Sequence, residues 1–456
     1  MPTNNKKHRL LIANRGEVAL RILRACHQLD IETVAAYTLV DKDAHYLDFA
    51  DRKFCVGERD YLDISAMISA AKITGCNLVH PGYGFLSESG EFARAVAEAG
   101  IEFVGPTAEH IELMGDKAIA RKTVSALGIK VVEGSETEID ASGVTKLVEA
   151  IGLPVCIKAS FGGGGKGMRV VTNMHQLGEA ISEAQQEAQA SFGNSAFYVE
   201  KYIAGARHIE VQILGDGQGN VVHLGTRECS IQRRYQKLIE EAPAAGIETS
   251  KLEALLKQSL AAMAELKYRS AGTLEYLYCD GEFYFIEMNT RLQVEHPVTE
   301  AITGQDIVTA QLLIAINRQL PFQQFEVNFS GSAIECRINA ETDDFMPSPG
   351  LVCNHIFPGG PGIRVDSHLV AGYLVPHQYD SLIAKVIATG GTRELARKRM
   401  CQALDETLIE GISINTGLLK RILHDAAFVN NEVTTEFVEA LLPSDKAEKL
   451  KSGDVS

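Results

Sequence analysis

The sequence is poor in basic residues relative to acidic ones. Its 456 residues include 44 lysines and arginines against 59 aspartates and glutamates, which gives a net charge of −15 at pH 7. A chain this acidic is a poor partner for nucleic acid or for an anionic membrane surface. An anionic substrate therefore has to be bound by a local cluster of basic side chains.

Paired cysteines and long apolar segments are also missing. The nine cysteines include no Cys-x-x-Cys pair, a pattern typical of reduced thiols and not of a disulfide framework or a zinc site. The N-terminus lacks the apolar core of a signal peptide, and no apolar run approaches the roughly 18 residues of a membrane span. We therefore expect a cytoplasmic globular protein with no membrane or nucleic-acid partner. Its length indicates about three domains.

Residues 10–112 alternate short β-rich runs with amphipathic helical runs, which predicts a doubly wound parallel α/β domain. The turn at 14–17 lacks Gly-x-Gly-x-x-Gly, so a dinucleotide at this turn is not expected. The glycine-bent segment 80–88 follows a strand, which places it at the edge where such sheets bind ligands. The residues alone equally allow a tight structural turn there.

A glycine-rich run at 162–167 lies within residues 131–203, which we predict to form a small separate domain. The run contains Gly-x-Gly-x-x-Gly, but a strand follows it instead of a helix, so neither a Rossmann nor a Walker motif is indicated. Strand, glycine run and strand predict a hairpin whose N–H groups close over phosphates, with Lys158 alongside as a point charge. The alternative is a flexible surface loop.

The segment 272–297 predicts a β-hairpin, because Asp280 and Gly281 lie between two runs rich in aromatic residues. A two-residue turn would place Glu275 and Glu287 on opposite faces. A three-residue turn with Gly281 in the left-handed region would place them on one face with Thr273 and Asn289. The second face would then be apolar or aromatic throughout: Leu274, Tyr276, Tyr278, Tyr284, Ile286 and Met288. This amphipathic pattern favours the three-residue turn.

Glu275, Glu287 and Asn289 offer only oxygen ligands, which suit Mg²⁺ held against phosphates. The alternative is that Arg291 or a lysine neutralises the two carboxylates. The next residues combine a fixed cation, an amide and a possible base in one short segment: Arg291, Gln293, Val294, Glu295 and His296. This combination predicts a small-anion site beside a metal.

The segment 287–300 closely resembles the signature of biotin carboxylases, the ATP-grasp component of biotin-dependent carboxylases such as acetyl-CoA carboxylase. Segments 14–24, 80–88, 114–117 and 335–341 resemble the same family, and the resemblance covers nearly the whole chain. It implies an α/β protein with an ATP-grasp fold, an N-terminal doubly wound α/β domain, a small glycine-rich lid and a C-terminal α+β domain. We divide the chain into 1–112, a connecting helix at 113–130, a lid at 131–203, a core with the metal and bicarbonate site at 204–330, a C-terminal domain at 331–446 and a polar tail at 447–456.

The resemblance implies that MgATP phosphorylates bicarbonate to carboxyphosphate and that the carboxyl group moves to N1′ of biotin. The implied ATP contacts are Lys117, Lys158, Gly164, Gly165, Glu200, Lys201, Ile203, His208, Glu210, Gln232 and Tyr235. Mg²⁺ or Mn²⁺ would bind Glu275, Glu287 and Asn289. The implied bicarbonate and biotin site is Lys237, Arg291, Gln293, Val294, Glu295, Arg337 and Tyr83. In it Glu295 is the base and Arg337 faces the ureido oxygen.

Three positions depart from the family pattern, since Phe161, Lys166 and Tyr235 replace an expected glycine, arginine and histidine. Cys229 has no histidine in its segment, so we expect it to serve packing and not catalysis.

The resemblance implies a biotin carboxyl carrier protein and a carboxyltransferase as partners, and a homodimer. Lys385 lies in an apolar strand and the lysines at 446, 449 and 451 lie in a polar tail without methionine, so we expect the biotin on a separate carrier. The sequence does not specify the final carboxyl acceptor. Two other classes remain open: an ATP-grasp ligase joining a carboxylate to an amine, and a nucleotide-binding module without turnover.

Overall fold

The computed structural model describes residues 8–58, 60–135, 141–159, 168–192 and 197–442. Gly164 and Gly165 of the predicted lid, the departures Phe161 and Lys166, and the tail at 447–456 lie outside the described residues. Predictions for these positions rest on the sequence alone. Across the described ranges, no helix is long and apolar enough to span a membrane.

The N-terminal region forms a parallel sheet flanked by helices. Its elements are β1 (Arg9–Ile12), α1 (Gly16–Gln28), β2 (Glu32–Thr38), β3 (Arg52–Gly57), α2 (Ile64–Thr74), β4 (Leu78–His80), α3 (Gly90–Glu98) and β5 (Glu102–Phe103). The strand order β3-β2-β1-β4-β5, parallel throughout, confirms the predicted doubly wound unit. Segment 80–88 leaves the carboxyl end of β4, as expected.

The connector consists of two helices, α4 (Ala108–Gly115) and α5 (Lys117–Ala126), so the single connecting helix expected at 113–130 is wrong. The break lies at Asp116, whose carboxylate accepts hydrogen bonds from the backbone N–H of Ala118 and Ile119, both at 3.0 Å. An aspartate in this position caps the N-terminus of a helix and so favours the start of a second helix. Lys117 therefore lies in the first turn of α5.

A three-stranded antiparallel sheet with two helices follows. Its elements are α6 (Ala141–Ile151), β6 (Val155–Ala159), β7 (Arg169–Val171), α7 (Leu177–Phe192) and β8 (Phe197–Lys201). The strand order is β7-β6-β8, and β6 pairs with β7 as predicted for the strands on either side of the glycine run. Val155 and Ile157 of β6 pack against Leu177 and Ile181 of α7 in a separate apolar cluster.

The rest of the described chain is built on an eight-stranded antiparallel sheet, in the order β13-β12-β9-β10-β11-β14-β19-β17. The strands of this part of the chain are β9 (Arg207–Asp216), β10 (Val221–Arg233), β11 (Gln236–Ala242), β12 (Arg269–Cys279), β13 (Glu282–Asn289), β14 (Ser332–Asn339), β15 (Gly350–Leu351), β16 (Asn354–Ile356), β17 (Ile363–Ser367), β18 (Leu374–Val375), β19 (Leu382–Gly390) and β20 (Leu408–Glu410). Four of them, β15, β16, β18 and β20, lie outside the eight-stranded sheet. The helices are α8 (Thr249–Glu265), α9 (His296–Thr303), α10 (Ile307–Asn317), α11 (Arg393–Glu406), α12 (Thr416–His424), α13 (Ala426–Val429) and α14 (Phe437–Leu441).

This sheet runs across the proposed boundary at residue 330, because β11 pairs with β14. The domain bounds thus remain a prediction, and the last three strands of the sheet come from the proposed C-terminal domain. Strand β16 lies outside this sheet and pairs with β20 in a separate two-stranded sheet. Side chains from both halves of the chain can therefore meet on one sheet surface.

The hairpin of β12 and β13 places Glu275 opposite Glu287 and Thr273 opposite Asn289, as predicted. The predicted turn is wrong, however. Asp280 and Gly281 form a two-residue turn, with φ of 51° and 82°, and the register shifts between Glu275 and Tyr276. The shift leaves Ile286 without a partner on β12, as in a β-bulge.

The bulge also changes the apolar face of the hairpin. Phe283 and Phe285 pack into the core with Tyr276, whereas Tyr284 and Ile286, which we expected on that face, do not belong to the core cluster. Tyr284 lies instead under the Lys130 ammonium, at 4.5 Å from the ring centre. A two-residue turn and one bulge together restore the even register that a three-residue turn would have given.

Candidate active site

Lys237 lies at the centre of a cluster of buried charges. Its ammonium donates to Glu275 Oε1 at 2.8 Å and to Glu295 Oε1 at 2.7 Å, and it also contacts Glu210. Strands β9, β11 and β12 and the loop before α9 each supply one of these residues. Burial alone would lower the pKa of Lys237, but the three carboxylates raise that pKa well above its usual value. The lysine therefore stays charged and holds the carboxylates together.

Glu275 pairs with Lys237, whereas Glu287 pairs with another lysine. Lys117 of α5 forms an ion pair with Glu287 at 2.9 Å. Burial alone would raise the pKa of Glu287, but Lys117 lowers it to about 2. Burial alone would lower the pKa of Lys117, but Glu287 raises it to about 12. Both partners are charged at neutral pH.

Asn289 completes the predicted metal set. Its Nδ2 donates to Glu275 Oε1 at 2.7 Å, and its Oδ1 accepts from Arg291 Nη2 at 2.7 Å. The structure brings the three predicted ligands together as an oxygen-only donor set, which fits Mg²⁺. It also pairs each carboxylate with a lysine, as the alternative interpretation required.

The loop between β13 and α9 is fixed from both sides. Arg291 Nε donates to Glu88 Oε2 at 2.9 Å, so the segment 80–88 of the N-terminal region reaches this site. The carbonyl oxygen of Val294 accepts from Lys385 Nζ at 2.8 Å. The N-terminal sheet and β19 therefore hold the two ends of the predicted anion-binding loop.

Arg227 is fully buried beneath this loop. Its guanidinium contacts Glu210 Oε2 at 2.7 Å, Gln212 Oε1 at 2.7 Å, Thr299 at 3.0 Å, Thr273 at 3.1 Å and the side-chain oxygen of Gln293. Because Arg227 takes the oxygen of Gln293, the amide nitrogen of Gln293 faces Glu275, to which it donates at 2.8 Å. Arg227 thus sets the orientation of one predicted anion-binding side chain.

The segment 227–243 concentrates basic residues in an acidic chain, so the sequence predicts an anion-binding cluster there. Arg227 and Lys237 are directed into the site, whereas Arg233 pairs with Glu341 at 2.9 Å. The basic cluster in the site is therefore smaller than the sequence predicts.

Glu295 lies between two cations. Its Oε1 accepts from Lys237, and its Oε2 accepts from Arg337 Nη2 at 3.1 Å. Burial alone would raise the pKa of Glu295, but Lys237 and Arg337 bring it below its usual value. An ionised carboxylate held in this way can accept a proton from a substrate that lies beside Lys237.

Arg337 is anchored from behind by a second carboxylate. Its Nε donates to Glu240 Oε1 at 2.5 Å. Arg337 lies on β14 and Glu240 on β11, so the β11–β14 pairing brings them together. The edge of the guanidinium that carries Nε and Nη2 is therefore held by two carboxylates, Glu240 and Glu295.

Tyr83 lies beside this part of the site, half-buried. Its hydroxyl donates to Glu17 of α1, which also pairs with Lys385 at 3.0 Å. The Lys385 ammonium is 6.0 Å from the centre of the Tyr83 ring. The chain Tyr83, Glu17, Lys385 and Val294 therefore connects the N-terminal region to the predicted anion loop.

The predicted ATP-binding residues of the small domain are joined by one carboxylate. Glu200 of β8 contacts Lys158 of β6 and accepts from Arg121 Nη1 of α5 at 2.7 Å. The Lys201 ammonium instead donates to three carbonyl oxygens at the end of α6, at 3.0–3.2 Å. The side chain of Lys201 is thus structural, and Ile203 follows it half-buried beyond β8.

Alternation along β9 directs His208, Glu210 and Gln212 into the site, as predicted. His208 Nε2 lies 3.1 Å from Glu275 Oε2. Burial alone would lower the pKa of His208, but Glu275 and Glu210 raise it to about 9. His208 is therefore a further cation of the cluster, beside Glu275.

The remaining predicted residues lie on β10 and its turn. Gln232 is buried on β10, and Tyr235 is 44% exposed in the turn to β11, with φ of 64°. Cys229 is buried, and burial raises the pKa of its thiol well above the usual value, so it is no nucleophile. The structure thus agrees with a packing role for Cys229.

Several charged residues of the site were not predicted as members of it. They are Glu17, Glu88, Arg121, Arg227, Glu240 and Lys385. Lys385 carried a signal, because a lysine inside an apolar strand needs a buried partner. The others come from elements whose spatial proximity is set only by the folded sheet.

The chain matches three family models along most of its length. Residues 6–111 match the biotin carboxylase N-terminal domain, residues 116–323 the ATP-binding domain of the carbamoyl-phosphate synthase L chain, and residues 335–440 the biotin carboxylase C-terminal domain. The biotin carboxylase of Pseudomonas aeruginosa is 50% identical over 445 residues, which cover 96% of this chain and 99% of that protein. Biotin carboxylase 1 of Bacillus subtilis is 47% identical over 440 residues, 94% of this chain and 98% of that protein.

Two solved structures share the fold over nearly the whole chain. The biotin carboxylase domain dimer of Hydrogenobacter thermophilus 2-oxoglutarate carboxylase, in complex with MgADP, ADP and bicarbonate, has a TM-score of 0.93 and 43% identity and covers 95% of this chain and 97% of that one. The Campylobacter jejuni biotin carboxylase β-γ-ATP complex has a TM-score of 0.93 and 42% identity, with 95% of this chain and 98% of that one covered. These matches also confirm the expected ATP-grasp type of α/β fold. With its charged cluster on the same framework, this chain belongs to the biotin carboxylase family.

Proposed function

We propose that this chain is an ATP-dependent ligase that carboxylates N1′ of biotin with MgATP and bicarbonate. Family membership gives the reaction class. The observation that supports the assignment of the chemistry to this site is the position of Glu295 between Lys237 and Arg337. A base with a cation on either side is suited to an anionic substrate.

ATP would lie between the small domain and the β12–β13 hairpin, where Lys117 and Lys158 can bind its phosphates. The implied contacts of Gly164 and Gly165 belong to the same proposal, as do the adenine contacts near Glu200 and Ile203. Mg²⁺ would be held by Glu275, Glu287 and Asn289, and it would supply charge neutralisation on the phosphates. On binding, Lys117 and Lys237 would exchange their carboxylate partners for phosphate oxygens.

Bicarbonate would bind between Lys237 and the loop before α9. Arg291 supplies the cation, and the Gln293 side chain and Val294 backbone orient the anion. Glu295 would take the proton of bicarbonate, whose oxygen then attacks the γ-phosphorus of ATP and yields carboxyphosphate and ADP. Once Lys237 turns to the substrate, Glu295 loses one cationic neighbour and becomes a stronger base.

Biotin would bind next to Arg337, near Tyr83. When N1′ loses its proton, negative charge develops on the ureido oxygen, and Arg337 would stabilise it. The phosphate released from carboxyphosphate would take that proton, so that the carboxyl group passes to N1′. A guanidinium suits this task because it stays charged near neutral pH.

The assembly follows from the same proposal. The biotin would be carried by a separate biotin carboxyl carrier protein, and a carboxyltransferase would use the product. A homodimer is proposed because the Hydrogenobacter domain crystallised as a dimer. We place the protein in the cytoplasm. Free biotin lacks the binding energy of the carrier, so it should act as a weakly bound substrate.

The proposal is tested by ATP hydrolysis with and without bicarbonate and free biotin. We expect hydrolysis that requires bicarbonate and is stimulated by biotin. Turnover with an amino-acid acceptor in place of bicarbonate would indicate a carboxylate-amine ligase instead. Binding of ATP without any turnover would indicate a nucleotide-binding module.

A further inference from the structure

Two acidic side chains of the sheet lie beside Arg337, Glu240 next to Nε and Glu335 two residues before it on the same strand. Glu240 of β11 and Glu335 of β14 are directly paired across the two antiparallel strands. Directly paired residues project from the same face of a sheet, with Cβ atoms about 4.5–5.5 Å apart. Both side chains are fully buried. Two carboxylates this close repel each other unless a cation or a proton lies between them.

The contacts of the two carboxyl groups are unequal. Glu240 Oε1 accepts from Arg337, whereas Glu240 Oε2 and both oxygens of Glu335 are buried and have no hydrogen-bond partner among the described residues. An ionised carboxylate is strongly disfavoured in such surroundings. A proton on Glu335 would give it a donor, and Glu240 Oε2 is an unused acceptor beside it.

Charged and titratable groups approach the pair from several elements. They are Arg337 on β14, Lys237 on β11, Lys385 on β19, Glu17 on α1, Glu295 before α9, Tyr83 after β4, and Cys229 and Cys336 within the sheet. Lys385 is already bound to Glu17 and to the carbonyl of Val294. Arg337 is thus the cation that contacts the pair directly.

These surroundings agree with one proton on the pair. Burial raises the pKa of Glu335 well above its usual value, although Lys385 opposes the shift. Burial also raises the pKa of Glu240, to about 7, although Arg337 opposes it. Of the two, Glu240 is therefore the one that ionises.

We propose that Glu335 keeps its proton and uses it to donate a hydrogen bond to Glu240. The pair then carries a single negative charge, which holds Nε of Arg337. The inference rests on the proposed function, in which Arg337 faces the ureido oxygen of biotin. Glu240 and Glu335 are then positioning residues, since they act on the reaction through Arg337. With Nε held by Glu240, the neighbouring Nη2 keeps its hydrogen bond to Glu295.

Three variants and a control separate this arrangement from a structural role. Glu335→Gln keeps a donor to Glu240, so biotin-stimulated turnover should stay within about threefold and its pH profile should not move. Glu335→Met removes the donor, which makes Glu240 easier to protonate, and the acid limb of the profile should move up by about one pH unit.

Glu240→Gln removes the negative charge itself. It should lower biotin-stimulated turnover at least about tenfold more than bicarbonate-dependent hydrolysis without biotin. The control is Glu241→Gln on the same strand, whose side chain pairs with Arg393 at 2.6 Å and does not contact Arg337. It should leave the ratio of the two rates and the pH profile unchanged.

An infrared measurement tests the proton directly and needs no turnover. At about pH 8, above the pKa of about 7 of Glu240, the native protein should show the C=O stretch of a buried protonated carboxyl group. Glu335→Gln should lose that band, and Glu241→Gln should keep it. A band that persists in Glu335→Gln would overturn the proposal, and so would an acid limb of that variant shifted to lower pH.

A failure of the proposed function can be distinguished from a failure of the proposal for Glu335. If the wild-type protein shows no bicarbonate-dependent, biotin-stimulated hydrolysis, the proposed function fails, while the infrared result still decides whether Glu335 holds a proton. Circular dichroism and thermal unfolding establish that each variant is folded before its rate is compared. A Glu335→Met variant that does not fold leaves the infrared comparison of wild type and Glu335→Gln as the deciding test.

Discussion

Glu275 lies directly opposite Glu287 in the β12–β13 hairpin, yet each carboxylate binds a lysine from a different part of the chain. Lys117 comes from the connector and Lys237 from β11. In the proposed function, phosphates would draw the lysines away and leave the carboxylates to bind a metal. The hairpin and the two lysines form one set of paired charges.

The first prediction concerns this set. Glu275→Gln and Glu287→Gln should each raise the Mg²⁺ concentration needed for half-maximal ATP cleavage by at least about tenfold, because even outer partners of a metal contribute about that much. The measurement is the rate as a function of free Mg²⁺ at saturating ATP. Glu282→Gln is the matched control, since Glu282 is exposed at the turn of the same hairpin. An unchanged Mg²⁺ dependence in Glu287→Gln would remove that residue from the metal site.

The second prediction concerns the base. Glu295→Gln should lower bicarbonate-dependent turnover by at least about 10²-fold, because base catalysis acts on the transition state. The affinity for ATP should fall much less, as measured by equilibrium binding of the nucleotide. A turnover equal to that of the wild type would exclude Glu295 as the base.

The third prediction concerns the buried Arg227. Its replacement by Met leaves Glu210 and Gln293 without the guanidinium, so the free energy of unfolding should fall by about 3–5 kcal/mol. Urea unfolding measures this loss. Arg94→Met is the control, because the pair of Arg94 with Glu112 is about half exposed and its loss should lower the free energy of unfolding far less. Equal losses in the two variants would contradict the structural role of Arg227.

The fourth prediction concerns acid sensitivity. Burial lowers the pKa of His368 from 6.5 to about 3, with Arg15 adding to the effect. The folded protein then binds fewer protons than the unfolded chain, so stability is full above pH 6.5 and falls as the pH drops towards 3. At about pH 5 this histidine alone should cost about 2 kcal/mol.

His368→Phe keeps an aromatic ring beside Tyr373, whose ring centre lies 5.0 Å away. We expect this variant to lose about 2 kcal/mol less than the wild type between about pH 7 and pH 5, as measured by urea unfolding. His424→Gln, at an exposed histidine, should follow the wild type. A pH dependence of His368→Phe identical to that of the wild type would show that His368 is not the cause.

The hairpin shows how far the sequence leads. Alternation and the ligand types predicted that Glu275 lies opposite Glu287, and this is confirmed. The predicted three-residue turn was wrong, because the even register comes from the bulge at Ile286. This bulge lies beside a contact with a segment outside the hairpin. The N–H of Phe285 donates to the carbonyl of Lys130 at 2.8 Å, and Val131 bridges to the same residue. No pattern within the hairpin could indicate this pairing with the connector.

The anion site shows the same limit. The loop residues Arg291, Gln293, Val294 and Glu295 were identified from one short segment and its family resemblance. The side chains that orient them, Glu88, Arg227 and Lys385, come from β-strands or loops far away in the sequence. Their proximity follows from strand pairings such as β11 with β14, which are long-range and leave no local signal. The carboxyl pair beside Arg337 also exists only because β11 pairs with β14.

The most direct test of the central claim follows one oxygen atom. If bicarbonate attacks the γ-phosphorus at this site, hydrolysis in the presence of ¹⁸O-labelled bicarbonate should give phosphate that carries one labelled oxygen per molecule, because the bridging oxygen of carboxyphosphate stays with phosphorus when the carboxyl group leaves. Mass spectrometry of the released phosphate measures this. Phosphate that carries oxygen from water alone would contradict the formation of carboxyphosphate and, with it, the function proposed for this site.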